Sequence, residues 1–228
     1  MDNNDFLFSG ISDQDANSLT LQIYNAIKLD ILFGRLEAGF KLNSVHLAKQ
    51  FNVSRTPVKQ SLELLKREYL IEAEPGKQAV VRPPSKQDIT TIYFLRKQLE
   101  PHVAKASVNR IPKNELLKMK TRLKELEANP LMHADHIEFD NRLHSMLWKY
   151  LKSPVIDSLF QVINDYSVRM QSFITYSLSL PSTNNSEHMA IIEAALARDG
   201  ESIFKSVEAH LAKACRRLID YYDSNHLT

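Results

Sequence analysis

Residues 51–65 read FNVSRTPVKQSLELL, and this stretch decides the fold. Val53 closes a tight turn, Ser54 supplies an N-cap oxygen, and a helix follows. Pro57 falls in the first helical turn, where a missing N–H leaves no hydrogen bond unmade. Val58, Leu62 and Leu65 recur at helical spacing, so one face is buried. The tip and the opposite face carry Ser54, Arg55, Thr56, Lys59 and Gln60, donors and cations sized for phosphates and base edges. An ordinary amphipathic helix with a solvated polar face would show the same pattern, so the flanking residues must decide.

Upstream, Leu19, Ile23, Ile27 and Ile31 fall every four residues and predict a helix from Leu19 to Phe33, closed by Gly34 in a left-handed conformation. Gly39 marks a second turn. Ser44 is expected to cap a short helix, Val45 to Gln50, the first of a helix-turn-helix. Downstream, LIEAEPGKQAVVRP reads as a β-hairpin with strands Ile71 to Glu74 and Ala79 to Arg82 and a turn at Pro75-Gly76. Helix, helix-turn-helix and hairpin, in that order, form a winged helix. Gly76 and Lys77 at the hairpin tip could reach a minor groove or phosphates; a plain surface turn is the competing reading.

The totals bound the rest. A chain of 228 residues holds one large or two modest domains. Only five glycines favour helices over a turn-rich β fold. The net charge of +2 says little about partners, but the charge is uneven. Residues 35–82 hold nine Lys or Arg against five Asp or Glu, whereas residues 1–34 hold one Lys and five Asp. A basic segment inside a near-neutral chain fits a compact DNA-binding module. The single cysteine, Cys215, excludes a disulfide framework or a multi-cysteine zinc site within one chain, and suits a reducing cytoplasm. No signal peptide or long apolar run points to export or a membrane.

Residues 1–17 are polar and expected to be a flexible tail, residues 18–84 the winged helix-turn-helix, and residues 85–228 an all-helical domain. Arg82-Pro83-Pro84 is a stiff linker, and Ser85 with Asp88 forms a capping-box pattern. From there the sequence shows only helical periods, over about 86–109, 112–128, 134–151, 154–178, 187–199 and 201–223, with Pro101 placed to kink the first. The expected fold is mainly α: an N-terminal winged helix-turn-helix followed by an all-α helical bundle.

GRLEAGFKL, LAKQFNVSRTPVKQSLELL and EYLIEAEPGKQAVV resemble the DNA-binding domain of GntR-family transcription regulators. YFLRKQLEPHVAKAS, DNRLH, EHMAIIEAALARDGE and EAHLAKACRRL resemble the FCD ligand-binding domain of the FadR-type subgroup. The first resemblance implies that Arg55, Thr56 and Lys59 contact DNA, with Ser54 and Pro57 setting the helix start. Three departures stand out. Ser44 replaces a frequent acidic residue, Gln78 stands where the wing glycine usually falls, and Lys59 replaces a common Arg. Lysine keeps phosphate charge but loses bidentate guanine readout, which alters the expected operator sequence more than binding itself. The resemblance also implies a homodimer on a palindromic operator.

Asp140 and His144 are four residues apart and share one helix face. His188 and His210 lie 12 residues before and 10 after Gly200. In an antiparallel hairpin about Gly200 their imidazoles fall at nearly one height. One carboxylate and three imidazoles suit a divalent transition ion, zinc first, with nickel or manganese as alternatives. Each histidine taken alone reads equally well as a solvated or core residue, and His136 as a surface one. In the FCD family the four matched positions bind such a metal. The resemblance further implies that a small organic acid completes the metal's coordination, helped by Arg96 and Arg217, with Arg169 a weaker candidate. Two other readings stay open: a metal-dependent hydrolase with an accessory winged helix, in which Glu187 could serve as a base, and a regulator without metal.

Overall fold

A computed structural model describes residues 16–74, 76–128, 133–178 and 185–224. The chain divides into two compact units, residues 1–83 and 84–228.

In the first unit, α1 (Ala16–Leu32) is followed by β1 (Lys41–Leu42), α2 (Ser44–Gln50), α3 (Arg55–Arg67), β2 (Ile71–Glu72) and β3 (Ala79–Val81). Helix α1 begins at Ala16, two residues inside the stretch expected to be a flexible tail, the rest of which lies outside the described residues. Ile23, Ile27 and Ile31 of α1 are buried, α1 packs on α3, and Val58 and Leu65 of α3 are fully buried. Leu62 is only half-buried. The hairpin expected from the sequence is present but shorter, and Pro75 at its turn lies outside the described residues. It gains a third strand that alternation could not show: the sheet order is β1-β3-β2, antiparallel throughout, with Lys41 opposite Val80 and Ile71 opposite Val81.

Two caps differ from expectation. Asn43, not Ser44, caps α2: its Oδ1 accepts from the amides of Val45 at 2.8 Å and His46 at 3.3 Å. Ser54 holds the extended N-cap backbone of α3, but its side chain makes no capping bond. Asn43→Ala should therefore lower the stability of this unit by about 1 kcal/mol, whereas Ser54→Ala should change it by only a few tenths. Denaturant midpoints of the two variants check the contrast; equal losses would reassign the cap.

The back of α3 is tied to α1 by side chains. The Thr20 hydroxyl donates to Gln60 Oε1 at 2.9 Å, and the buried Ser61 hydroxyl bonds the Thr20 carbonyl at 2.6 Å. Gln60 lies exposed, as its polar character suggested, and spends its side-chain oxygen on α1. The turn between α2 and α3 passes through Asn52 at φ 53°, a left-handed conformation that asparagine tolerates.

The second unit is a bundle of α4 (Lys86–Ser107), α5 (Lys113–Ala128), α6 (His133–Lys149), α7 (Pro154–Leu178), α8 (Asn185–Leu196) and α9 (Gly200–Ser224). The capping box is present: the Asp88 amide donates to Ser85 Oγ at 3.1 Å, and the Ser85 amide to Asp88 Oδ2 at 2.8 Å. Helix α4 runs on through Pro101. It packs mainly on α9, α8 pairs with α9, and α6 with α7. Leu116, Leu123, Leu143, Ile191, Ile203 and Leu211 are fully buried between them. Asp199, rather than Gly200, shapes the α8–α9 turn. Its carboxylate accepts from the amides of Glu201 and Ser202 at 3.0 Å, leaving Gly200 as the first residue of α9. At the far end of α9, Asp223 pairs with Lys86 at 2.7 Å, an exposed contact on the first turn of α4.

Candidate functional site

On the first unit, Arg55, Thr56 and Lys59 are exposed, and their side chains bond no other described residue. The N–H groups of a helix start and the cations on it form an anion-attracting tip. Arg55 and Lys59 share one concave surface with Gly76 and Lys77 of the hairpin. Gly76 has φ 78° with open space around it, which suits the tip of a turn. Lys77 is paired with Glu74 at 2.6 Å, so its charge is partly spent on the protein itself.

In the second unit, Asp140 and His144 from α6, His188 from α8 and His210 from α9 converge. All four are buried, and one donor atom from each lies within 4.8 Å of the others. His188 Nε2 is 3.0 Å from Asp140 Oδ1, and His144 Nε2 is 3.7 Å from the same oxygen. The Nε2 atoms of His144 and His210 are 3.1 Å apart. Gln171 donates to Asp140 Oδ2 at 2.7 Å. The hairpin geometry expected for His188 and His210 is met, with ring centroids 4.8 Å apart.

The outer nitrogens test whether a cation fits. His210 Nδ1 lies 3.0 Å from Glu187 Oε2, and His144 Nδ1 lies 3.3 Å from Glu100 Oε2, though without the alignment of a hydrogen bond. An imidazole facing a carboxylate keeps its hydrogen on that side. Both Nε2 lone pairs then point inward at one another, beside a carboxylate, and repel unless a positive charge lies between them. The electrostatics agree. Burial would raise the Asp140 carboxyl, but the surrounding imidazoles hold it well below the usual range. Burial pushes the His210 imidazole down to about 3, against the pull of Glu187. The donor set fits a divalent ion.

The arginines are also located. Arg96 on α4 is buried and lies against both oxygens of Glu100 at 3.2–3.3 Å, with Nη1 lacking a partner. Burial disfavours its charge, and the Glu100 carboxylate more than restores it. Arg217 is half-exposed and grips both oxygens of Glu187 at 2.9 Å. Burial would raise the Glu187 carboxyl; bonds from His210 and Arg217 outweigh it and hold it far below the usual range. His136 is buried, which corrects its reading as a surface residue. Arg169 is buried as well, while Trp148 stacks on Phe160 in the core. Glu100 was missed in the sequence, although its place four residues after Arg96 is a helical pairing signal.

The gntR-family model of bacterial regulatory proteins matches residues 19–81, and the FCD domain model matches residues 91–213. The chain belongs to the GntR family and carries an FCD domain. Among curated GntR-type relatives, the HTH-type transcriptional regulator YdhC of Bacillus subtilis is 25% identical over 202 residues, covering 87% of this chain and 90% of YdhC. The HTH-type transcriptional repressor RspR of Escherichia coli is 26% identical, covering 83% and 84%. The fold is shared with E. coli McbR/YncC, with a TM-score of 0.74 at 21% identity over 90% of this chain and 98% of that one. A GntR regulator from Rhodococcus sp. RHA1 gives 0.78 at 19% identity, covering 89% and 98%. This GntR protein is a transcription regulator with a helix-turn-helix and an FCD domain, and its relatives are named regulators and repressors rather than hydrolases. GntR-family regulators bind DNA and typically form dimers, and FCD domains can bind metal. The four candidate metal ligands lie inside the FCD match; Arg217 lies four residues beyond it. No described helix is long and apolar enough to cross a membrane.

Proposed function

We propose that this regulator acts in the cytoplasm as a homodimer on a palindromic operator, and that a small carboxylate bound at a metal centre in its FCD domain controls its affinity for DNA. The reading divides the chain at residues 84–85, as the sequence suggested. The observation that carries it is the inward convergence of Asp140, His144, His188 and His210, with both outer nitrogens turned to carboxylates. Zinc suits this borderline set of one oxygen and three nitrogens, and nickel or manganese would also be accepted. When bound, the ion supplies positive charge to which an organic carboxylate can attach. The unpartnered Nη1 of Arg96 and the half-exposed Arg217 are the donors this chain offers to such an anion. Control follows from linkage: an effector that binds one arrangement better raises the population of that arrangement.

The DNA face comprises Ser54, Arg55, Thr56, Pro57 and Lys59, with Gly76 and Lys77 on the wing. Pro57 is buried and sets the helix start, while Arg55 and Lys59 reach outward. Arg55→Ala should lower operator affinity roughly 10- to 100-fold, as expected for one guanidinium on base edges or phosphates. Helicity and dimerisation should be unchanged, because the Arg55 side chain bonds no described residue. Gel shifts with the regulator's own promoter region measure it. Retained affinity in the variant would reject α3 as the recognition helix.

A further inference from the structure

The two imidazoles that meet Nε2 to Nε2 have matching surroundings. Each turns its other nitrogen to a glutamate, and each glutamate is held by an arginine: His210 to Glu187 to Arg217, and His144 to Glu100 to Arg96, with Lys213 also facing Glu187 at 3.6 Å. Those arginines are the pair offered above to the effector. We propose that Glu187 and Glu100 are positioning residues that couple the metal centre to the effector arginines, each sharing one carboxylate between a ligand imidazole and a guanidinium. The inference rests on the metal reading and adds its regulation.

A carboxylate has one negative charge to divide. While the arginine holds it, it accepts weakly from the imidazole N–H. When an anion draws the arginine away, the carboxylate turns more fully to the imidazole, even with Lys213 beside Glu187, and makes Nε2 the better ligand. Conversely, an imidazole with a cation on Nε2 donates more strongly from Nδ1 and loosens the arginine for an anion. Metal and anion then favour each other, by the same factor in both directions.

Glu187 is the arm to test. Its side chain is 15% exposed and that of Arg217 39%, so changes there leave no fully buried unpaired charge, whereas Glu100→Gln would strand Arg96. The measurements are Zn²⁺ affinity of the full chain, by competition with a chromophoric chelator, and melting of the metal-free protein. Glu187→Gln is expected to weaken Zn²⁺ binding about 10- to 100-fold, whatever smaller fall in metal-free melting follows from losing the ion pair. Arg217→Met mimics an arginine drawn off by an anion and is expected to tighten Zn²⁺ binding. Opposite signs from two partners in one ion pair are the signature of the relay. Weakening by both, in step with lower melting, would mark a merely structural bridge and overturn it; so would a Glu187→Gln affinity within twofold of the parent. Asp140→Ala is the control. Unchanged Zn²⁺ affinity there would remove the centre and the relay together, whereas lost affinity there with an unmoved Glu187→Gln would remove the relay alone.

Discussion

Glu100→Leu should destabilise the helical domain by about 3–5 kcal/mol, among the largest effects of any single substitution in this chain. The Arg96 and Glu100 side chains are each only 2% exposed, and Glu100 is the carboxylate that keeps the Arg96 guanidinium charged. Removing it leaves a cation in the core without its bonded counter-charge, with only the more distant Asp140 to oppose it. For a domain of this size the loss corresponds to roughly 6–20 °C in melting temperature. The double variant Arg96→Met/Glu100→Leu should recover most of it, because a buried pair replaced by apolar groups of similar volume is often close to neutral. The contrast between single and double variants separates charge from packing. Equal melting of Glu100→Leu and the parent would show that Arg96 finds another partner, and would sink the account.

The second large effect concerns the metal. Chelating it should lower the melting temperature by roughly 8–16 °C when the free ion had been present at about a thousand times its dissociation constant, since binding to the native state alone then adds about 4 kcal/mol. His188→Ala combined with His210→Ala should abolish both the chelator response and the metal content. Acidification should also release the ion, because protons compete for the same imidazole and carboxylate atoms. Elemental analysis after purification provides the check: full occupancy in the double variant would move the centre elsewhere. Both buried imidazoles border apolar core, so the double variant is best compared with the chelated parent rather than the loaded one.

What the sequence revealed, and what it hid, follows from the range of the forces involved. The stripe Ile23, Ile27 and Ile31 and the pair Val58 and Leu65 were legible because burial imposes a period on the chain. The capping box at Ser85 was legible because both partners lie within four residues. Strand β1 was hidden, since two residues carry no alternation and its partner β3 is nearly forty positions away. Asn43 and Ser44 are both good caps standing side by side, and only backbone geometry chose the first. Gln60 is the outward polar residue it looked to be, but its bond to Thr20, forty positions away on α1, left no local signal. At the candidate centre, helical spacing paired Asp140 with His144 and His188 with His210, the family resemblance joined the two pairs, and His136 could have been placed inward on the spacing argument, one turn before Asp140. The roles of Glu100 and Glu187 could not, because each depends on which way a neighbouring helix turns an imidazole.

Helix α9 gives these details a mechanical sense. His210 and Asp223 are thirteen residues apart on one uninterrupted helix, about 20 Å along a rod that does not bend easily. Its outer tip is fastened by the Lys86–Asp223 pair, two residues past Pro84. A surface clasp of that kind is worth well under about 1 kcal/mol. With so slight a catch at its tip, what holds the shaft along its length is its packing against α4.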